Sequence, residues 1–289
     1  MAPNSGSSFT RTRASVLLDM TRGLAALLVL LSHWRNIFFI DFPSVTHARA
    51  LWFPFYGATT SGHQAVVVFF VLSGYFVGGS VIRLWDKGQW SWKKYSLQRV
   101  VRLWVVLLPG LLLCTFWDRI GLALGHAPAL YGGMSGNHLM QNVAAASNWR
   151  VLLANVFFLQ GFRAPLYGSD TALWSLANEF WYYALFPLAY AVFRAPRLLY
   201  KTTCTLLFLL LSWFVTPAIF LPFFIWMIGV VLVWLPQPPS FSPWIRRVAA
   251  VVLAGSVYYL PKNWASSDYV LGIVTGACVW VFLSAGEPE

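Results

Sequence analysis

From about Ser15 to Ile40 the chain carries an apolar run long enough to cross a bilayer, and the pattern recurs along its length. Further runs lie at about Ala65–Leu84, Val100–Leu124, Thr171–Phe193, Tyr200–Thr216, Pro217–Leu235, Ile245–Leu260 and Tyr269–Ala285. A spanning helix needs roughly 20 apolar residues. In lipid a single segment can satisfy its own backbone only as a helix. The sequence therefore predicts an all-α fold: a polytopic transmembrane helix bundle of about eight spans, forming a single membrane-embedded domain over residues 1–289. Trp149–Gln160 is apolar but too short to cross, so a re-entrant or interfacial helix is expected there. The first run is no cleaved signal peptide, because it is too long, contains Asp19 and Arg22, and lacks a small-residue cleavage site.

Charge supports this. Only 10% of residues are charged and 58% are hydrophobic, where a soluble domain has about 25% charged residues. A water-soluble globule and a disordered chain are both excluded. The net charge of +11 does not mark a nucleic-acid binder, because the basic residues flank apolar runs rather than cover one polar face. With the N-terminus in the cytoplasm, thirteen of the 20 Lys/Arg fall inside, six outside, and Arg22 lies within the first span. That is a positive-inside bias. The longest outer loop, about Gly125–Asp170, is rich in Gly, Asn and Ser and suits a polar substrate. Cys114, Cys204 and Cys278 sit in apolar runs without metal-ligand spacing, so no metal site is expected.

Ionisable groups inside spans are costly and need a partner or a cavity. Asp19 and Arg22, spaced i, i+3, can pair on one helix face. Arg22 and His33 stand roughly 16 Å apart along the first helix, close to one face. Glu179, counted from the outer end of its span, falls at nearly the same depth as His33. A carboxylate beside His33 would raise its basicity and fix its tautomer, making it a general base toward a hydroxyl presented from outside. The plainer alternatives are an interfacial His33 bonded to a loop, and a Glu179 that only neutralises Arg22. Arg99 and Arg102 stand one turn apart at the inner end of the third span, where topology alone calls for basic residues. Two guanidiniums on one face also form a phosphate fork. Phe69–Tyr75 places small residues mid-span, where helices cross closely or line a cavity.

Four segments, in order, resemble the acyltransferase 3 family of integral membrane acyltransferases. They are Leu18–Ala26 through Ser32-His33, Phe69–Tyr75, Arg99-Val-Val-Arg102, and Leu173-Trp174-Ser175-Leu176-Ala177-Asn178-Glu179 running on to Tyr183. The resemblance covers about Leu17–Pro187. It implies an O-acyltransferase that moves an acyl group, commonly acetyl, from cytoplasmic acyl-CoA to a carbohydrate or other glycan acceptor at the outer face. Acyl-CoA would be a co-substrate, with no permanently bound cofactor. Position by position, His33 and Glu179 take catalytic places, and Arg22, Arg99 and Arg102 the acyl-CoA-binding places. The implied setting is the lipid bilayer of a bacterial inner (plasma) membrane, N-terminus in the cytoplasm. Family members usually have about ten spans and a closing Ser-Tyr-x-Leu-Tyr-x-x-His-like helix, so the chain reads as a short or truncated member.

Two other functions fit the same residues. In a transporter or flippase of a lipid-linked sugar, Arg22, His33 and Glu179 would form a proton relay. The absence of internal symmetry argues against it. An inactive truncated homologue would survive as a membrane interaction protein.

Overall fold

A computed structural model describes residues 12–126, 128–133, 142–260 and 265–285. Arg11, Lys262 and the closing Gly286-Glu287-Pro288-Glu289 lie outside them. Among the described residues the regular structure is helical, apart from an isolated bridge between Gln160 and Ala164. Helix α1 is Arg13–Phe38, its first turn capped by the Thr12 hydroxyl, which accepts the Ser15 N–H. Then come α2 (Arg49–Thr59), α3 (Gly62–Ser73), a π turn (Gly74–Gly78), α4 (Gly79–Asp86) and α5 (Trp92–Leu124). Three short helices follow: α6 (Pro128–Tyr131), α7 (Val143–Ala146) and α8 (Trp149–Val156). The chain then forms α9 (Leu173–Arg194), α10 (Leu198–Phe214), α11 (Thr216–Trp234), α12 (Pro243–Tyr259) and α13 (Ala265–Leu283).

Each of the eight apolar runs is helical, but five stretches are long and apolar enough to cross a membrane: α1, the continuous Arg49–Asp86, α5, α11 and α13. Helix α9 is long enough, yet its Trp, Tyr, Asn and Glu side chains keep it less apolar than those five. Helices α10 and α12 have 17 residues each. A count of eight spans is therefore not carried by length and apolarity. The outward faces are apolar: Met20, Leu24, Leu27 and Leu30 of α1 and Val105, Leu112 and Phe116 of α5 are exposed. Such faces are a liability in water and are ordinary against lipid.

Helix α3 is the centre of the bundle. Its run Ala65–Leu72 is apolar on every side, which suits a helix enclosed all round by α1, α11 and α13. Gly74 and Gly229 let α11 cross just beyond it. A Cβ on Gly74 would strike the Trp226 carbonyl, and one on Gly229 the Val71 carbonyl. The small residues of Phe69–Tyr75 thus serve a close crossing, and Ser73 beside them faces a cavity.

Trp149–Gln160 belongs to an excursion that runs back along α5. The Trp104 indole donates to the Val156 carbonyl at 3.0 Å, and the Ser169 N–H to Asp118 at 2.8 Å. Trp104 and Asp118 lie roughly 21 Å apart along α5, so the chain descends through α8 and climbs back. Irregular backbone packed against the helices must find its hydrogen-bond partners within the protein. Asn155, fully buried, donates to the Pro165 carbonyl (3.0 Å) and accepts the Tyr167 N–H (3.1 Å). Gln160 donates to the Leu173 carbonyl, the Trp181 indole to Phe158, and Arg163 to the carbonyl of Phe214 at the end of α10. The excursion thus caps the short α10.

Candidate functional site

Helices α1, α3, α5 and α9 enclose a cavity of about 260 Å³, extended through the π turn by Phe76 and Val77. Its polar wall is Arg22, Ser73, Arg102, Ser175, Glu179 and Tyr183; the rest is apolar, including Val29 and Phe69. Three of the five residues picked from the sequence meet here: Arg22, Arg102 and Glu179. With the guanidiniums of Arg22 and Arg102 on its wall, the cavity offers hydrogen-bond donors to an anion.

Glu179 does not stand beside His33. Its Oε1 accepts the Ser73 hydroxyl at 3.1 Å and the Tyr183 hydroxyl, and the Trp226 indole donates to Ser73 Oγ at 3.2 Å. His33 instead has Nδ1 3.5 Å from Thr171 Oγ1. Thr171 lies eight positions before Glu179, roughly 12 Å along the helix. No hydrogen bond joins His33 to Glu179 among the described residues, so the expected dyad is corrected. Depth counting failed because the ends of α1 and α9 are not level: α1 extends outward past the start of α9, and the returning loop packs against it. Among the described residues no ion pair joins Glu179 to Arg22, the plainer alternative. Arg22 pairs with Asp19 at 3.8 Å and lies over the Phe76 ring.

His33 nevertheless belongs to the same column. Val29 and Ser175 line the cavity; His33 is one turn beyond Val29 on α1, and Thr171 precedes Ser175 by four residues. The His33–Thr171 contact therefore sits just beyond the end of the cavity farthest from Arg22. The expected arginine fork separates: Arg102 lines the cavity and Arg99 does not. The Arg99 guanidinium lies 5.4 Å from both the Tyr95 and Tyr183 ring centres and donates to Ser80 at 3.2 Å. It braces Tyr183, which in turn holds Glu179.

Several participants had no role assigned from sequence. Ser73 and Tyr183 were visible inside their motifs, but nothing in spacing says they share a carboxylate. Asp170 and Thr171 lie just before α9, where the sequence puts Asp170 at the end of the outer loop and Thr171 at the start of an apolar run, with nothing to mark either. The returning loop that carries them is pinned to α5: buried Asp118 accepts the Ser169 N–H and the Cys114 thiol (3.2 Å), and Thr115 donates to the Tyr167 hydroxyl (3.0 Å). Gly168, at φ +58°, passes so close to Cys114 and Asp118 that no side chain fits. Asp170 accepts the Ala172 N–H at 3.1 Å. Burial holds its carboxyl above the ordinary carboxylate range; the Ala172 N–H and the nearby His33 pull it down, and Asp118 adds to the rise. A second histidine–carboxylate pair, His63 Nε2 to Asp268 Oδ2 at 2.8 Å, joins α3 to α13, its imidazole stacked on Trp174. Among the described residues no group of three His, Cys, Asp or Glu side chains could hold a metal ion.

An acyltransferase domain family matches residues 16–288, nearly the whole chain. The chain belongs to the acyltransferase 3 family. The match extends well past Pro187, where motif resemblance ends, so α10–α13 belong to the family domain as well. Within the curated proteins, the chain is 29% identical over 154 residues to an uncharacterized protein of Haemophilus influenzae, a stretch of 50% of this chain and 58% of that one. It is 29% identical over 145 residues to the peptidoglycan O-acetyltransferase OatA of Listeria monocytogenes, 48% of this chain and 22% of the relative. The aligned region thus covers less than two thirds of either relative. No solved structure matches the chain.

Proposed function

We propose that the protein transfers an acyl group, acetyl in the simplest case, from an acyl-CoA thioester on the cytoplasmic side to a hydroxyl of a glycan at the outer face. One observation carries this reading: a cavity with Arg22 and Arg102 on its wall ends one turn short of His33. The arginines hold phosphate oxygens of the donor, and the apolar wall takes its uncharged arm. The thioester then lies toward His33. The imidazole takes the proton of the acceptor hydroxyl as its oxygen attacks the thioester carbonyl. The carbon–sulfur bond breaks, and the imidazolium returns the proton to the departing thiolate. Glu179 is assigned to fixing the cavity wall through Ser73 and Tyr183 and to offsetting the arginine charge. Arg99 acts one step behind, through Tyr183.

The orientation with the N-terminus inside, the bacterial inner-membrane location and the count of about eight spans are part of the proposal. They rest on the positive-inside bias and the family. The glycan acceptor is supported by the peptidoglycan O-acetyltransferase name of the Listeria relative. The test uses purified protein in nanodiscs with acetyl-labelled acetyl-CoA and soluble peptidoglycan fragments. Label should appear as a base-labile ester on the fragments, and Arg102→Ala should raise KM for acetyl-CoA. A protein that neither binds nor consumes acetyl-CoA would overturn the assignment.

A further inference from the structure

We propose that Asp170 is the carboxylate that positions His33 and stabilises the imidazolium formed when His33 takes the acceptor's proton. The inference rests on the acyl-transfer reading above and replaces Glu179 in that role. Thr171 brings this stretch of loop to His33 Nδ1 at 3.5 Å, and Asp170 precedes it, close enough that its charge and that of His33 act on one another. Hydrogen bonds to catalytic groups are often long before substrate binds.

The loop is held in place from α5, from α8 and by its own backbone. Asp118 fixes Ser169, Asn155 and Thr115 fix Tyr167, and the Ala172 N–H fixes Asp170 Oδ1. Other charged groups on the neighbouring elements are engaged elsewhere. Asp118 of α5 is bound by Ser169 and Cys114, His63 of α3 by Asp268 of α13, and Arg35 of α1 by Asn36 and Asp41. Asp170 is the carboxylate left to answer a proton arriving on His33.

The test compares Asp170→Asn and Asp170→Glu with the parent, in nanodiscs, using acetyl-CoA and soluble peptidoglycan fragments. Asparagine keeps the bond to Ala172 and loses the charge. Expected for Asp170→Asn are a kcat about 10- to 10²-fold lower, below the 10²–10⁴-fold expected for loss of the base itself, a KM for acetyl-CoA within about twofold, and an altered pH profile. Asp170→Glu should restore most of the rate. A second arm needs no turnover: the rate at which diethyl pyrocarbonate modifies His33 at pH 6, read by peptide mass spectrometry. It should rise in Asp170→Asn, because less of the imidazole is protonated, and stay near the parent value in Asp170→Glu. Unchanged kcat, or unchanged His33 modification, would overturn the proposal. If the parent itself transfers no acetyl group, the function reading falls, and the modification arm still decides the Asp170–His33 pairing.

Discussion

The Ser73 hydroxyl donates to Glu179 at 3.1 Å, which ties the last residue of α3 to the middle of α9 just before the π turn. The same carboxylate oxygen accepts from Tyr183, so one acid holds two other residues of the cavity wall. Hydrogen bonds to charged groups contribute about 1.5–3 kcal/mol each. Glu179→Gln keeps an acceptor but loses the charge. It should lower the melting temperature in detergent and weaken acetyl-CoA binding. Because Glu179 lies roughly 12 Å from the Thr171 level, the pH dependence of whatever activity remains should match the parent. A shifted pH profile would return Glu179 to the role first expected of it.

His33→Ala removes the base without touching the cavity. Turnover should fall by about 10²–10⁴-fold, with acetyl-CoA affinity within about twofold. Near-normal turnover by well-folded His33→Ala protein would sink the assignment.

The two arginines of Arg99-Val-Val-Arg102 should fail differently. Arg102→Lys leaves a point charge in place of a fork and should raise KM for acetyl-CoA, with binding more sensitive to salt. Arg99→Lys loses its two aromatic faces and the Ser80 bond, where each cation–π contact contributes about 0.5–1 kcal/mol or more. Its signature should be lower thermal stability first. Equal KM effects in both variants would mean that Arg99 also reaches the ligand.

Stability should respond to pH through Asp170. Its carboxyl is held above the range of an unfolded chain, mainly by burial. A raised acid stabilises the folded state most below its unfolded value, about 3.9, and that contribution is lost as pH rises through the higher folded value. Asp170→Asn has no such loss, so its stability relative to the parent should increase from about pH 4 toward neutrality. Melting curves of both proteins across that window give the answer; parallel curves would contradict the sign.

Gly74→Ala drives a methyl group into the Trp226 carbonyl, and backbone cannot step aside as a flexible side chain can. Overpacking of this kind costs about 1–3 kcal/mol. Gly23→Ala, with open space around it, is the control and should leave stability nearly unchanged. Comparable melting temperatures for the two variants would refute the tight crossing.

The positions of the long helices were legible because apolar runs of that length have few alternatives in lipid, and Arg22, Arg102 and Glu179 were legible because ionisable groups stand out against such runs. The pairing of His33 was not. Depth along a helix can be counted from sequence, but the offset between two helices depends on packing and loops. The signal for Asp170 was present as an acid just before α9, with no periodicity to connect it to His33. Arg99 shows the same gap. Tyr95 lies one turn away and could be noticed, while Tyr183 arrives from another helix.

The excursion through α8 also sets an order of assembly. Its contacts run to Trp181 and to the carbonyl of Phe214, residues synthesised after it. As the chain emerges from the ribosome, the partners of residues 149–165 on α9 and α10 are made later, so these contacts close only once both helices have formed. A chain interrupted before Phe214 would carry Arg22, His33, Arg102, Asp170 and Glu179, yet Arg163 would lack its anchor on α10 and the loop leading to Asp170 would be held from α5 and α8 alone.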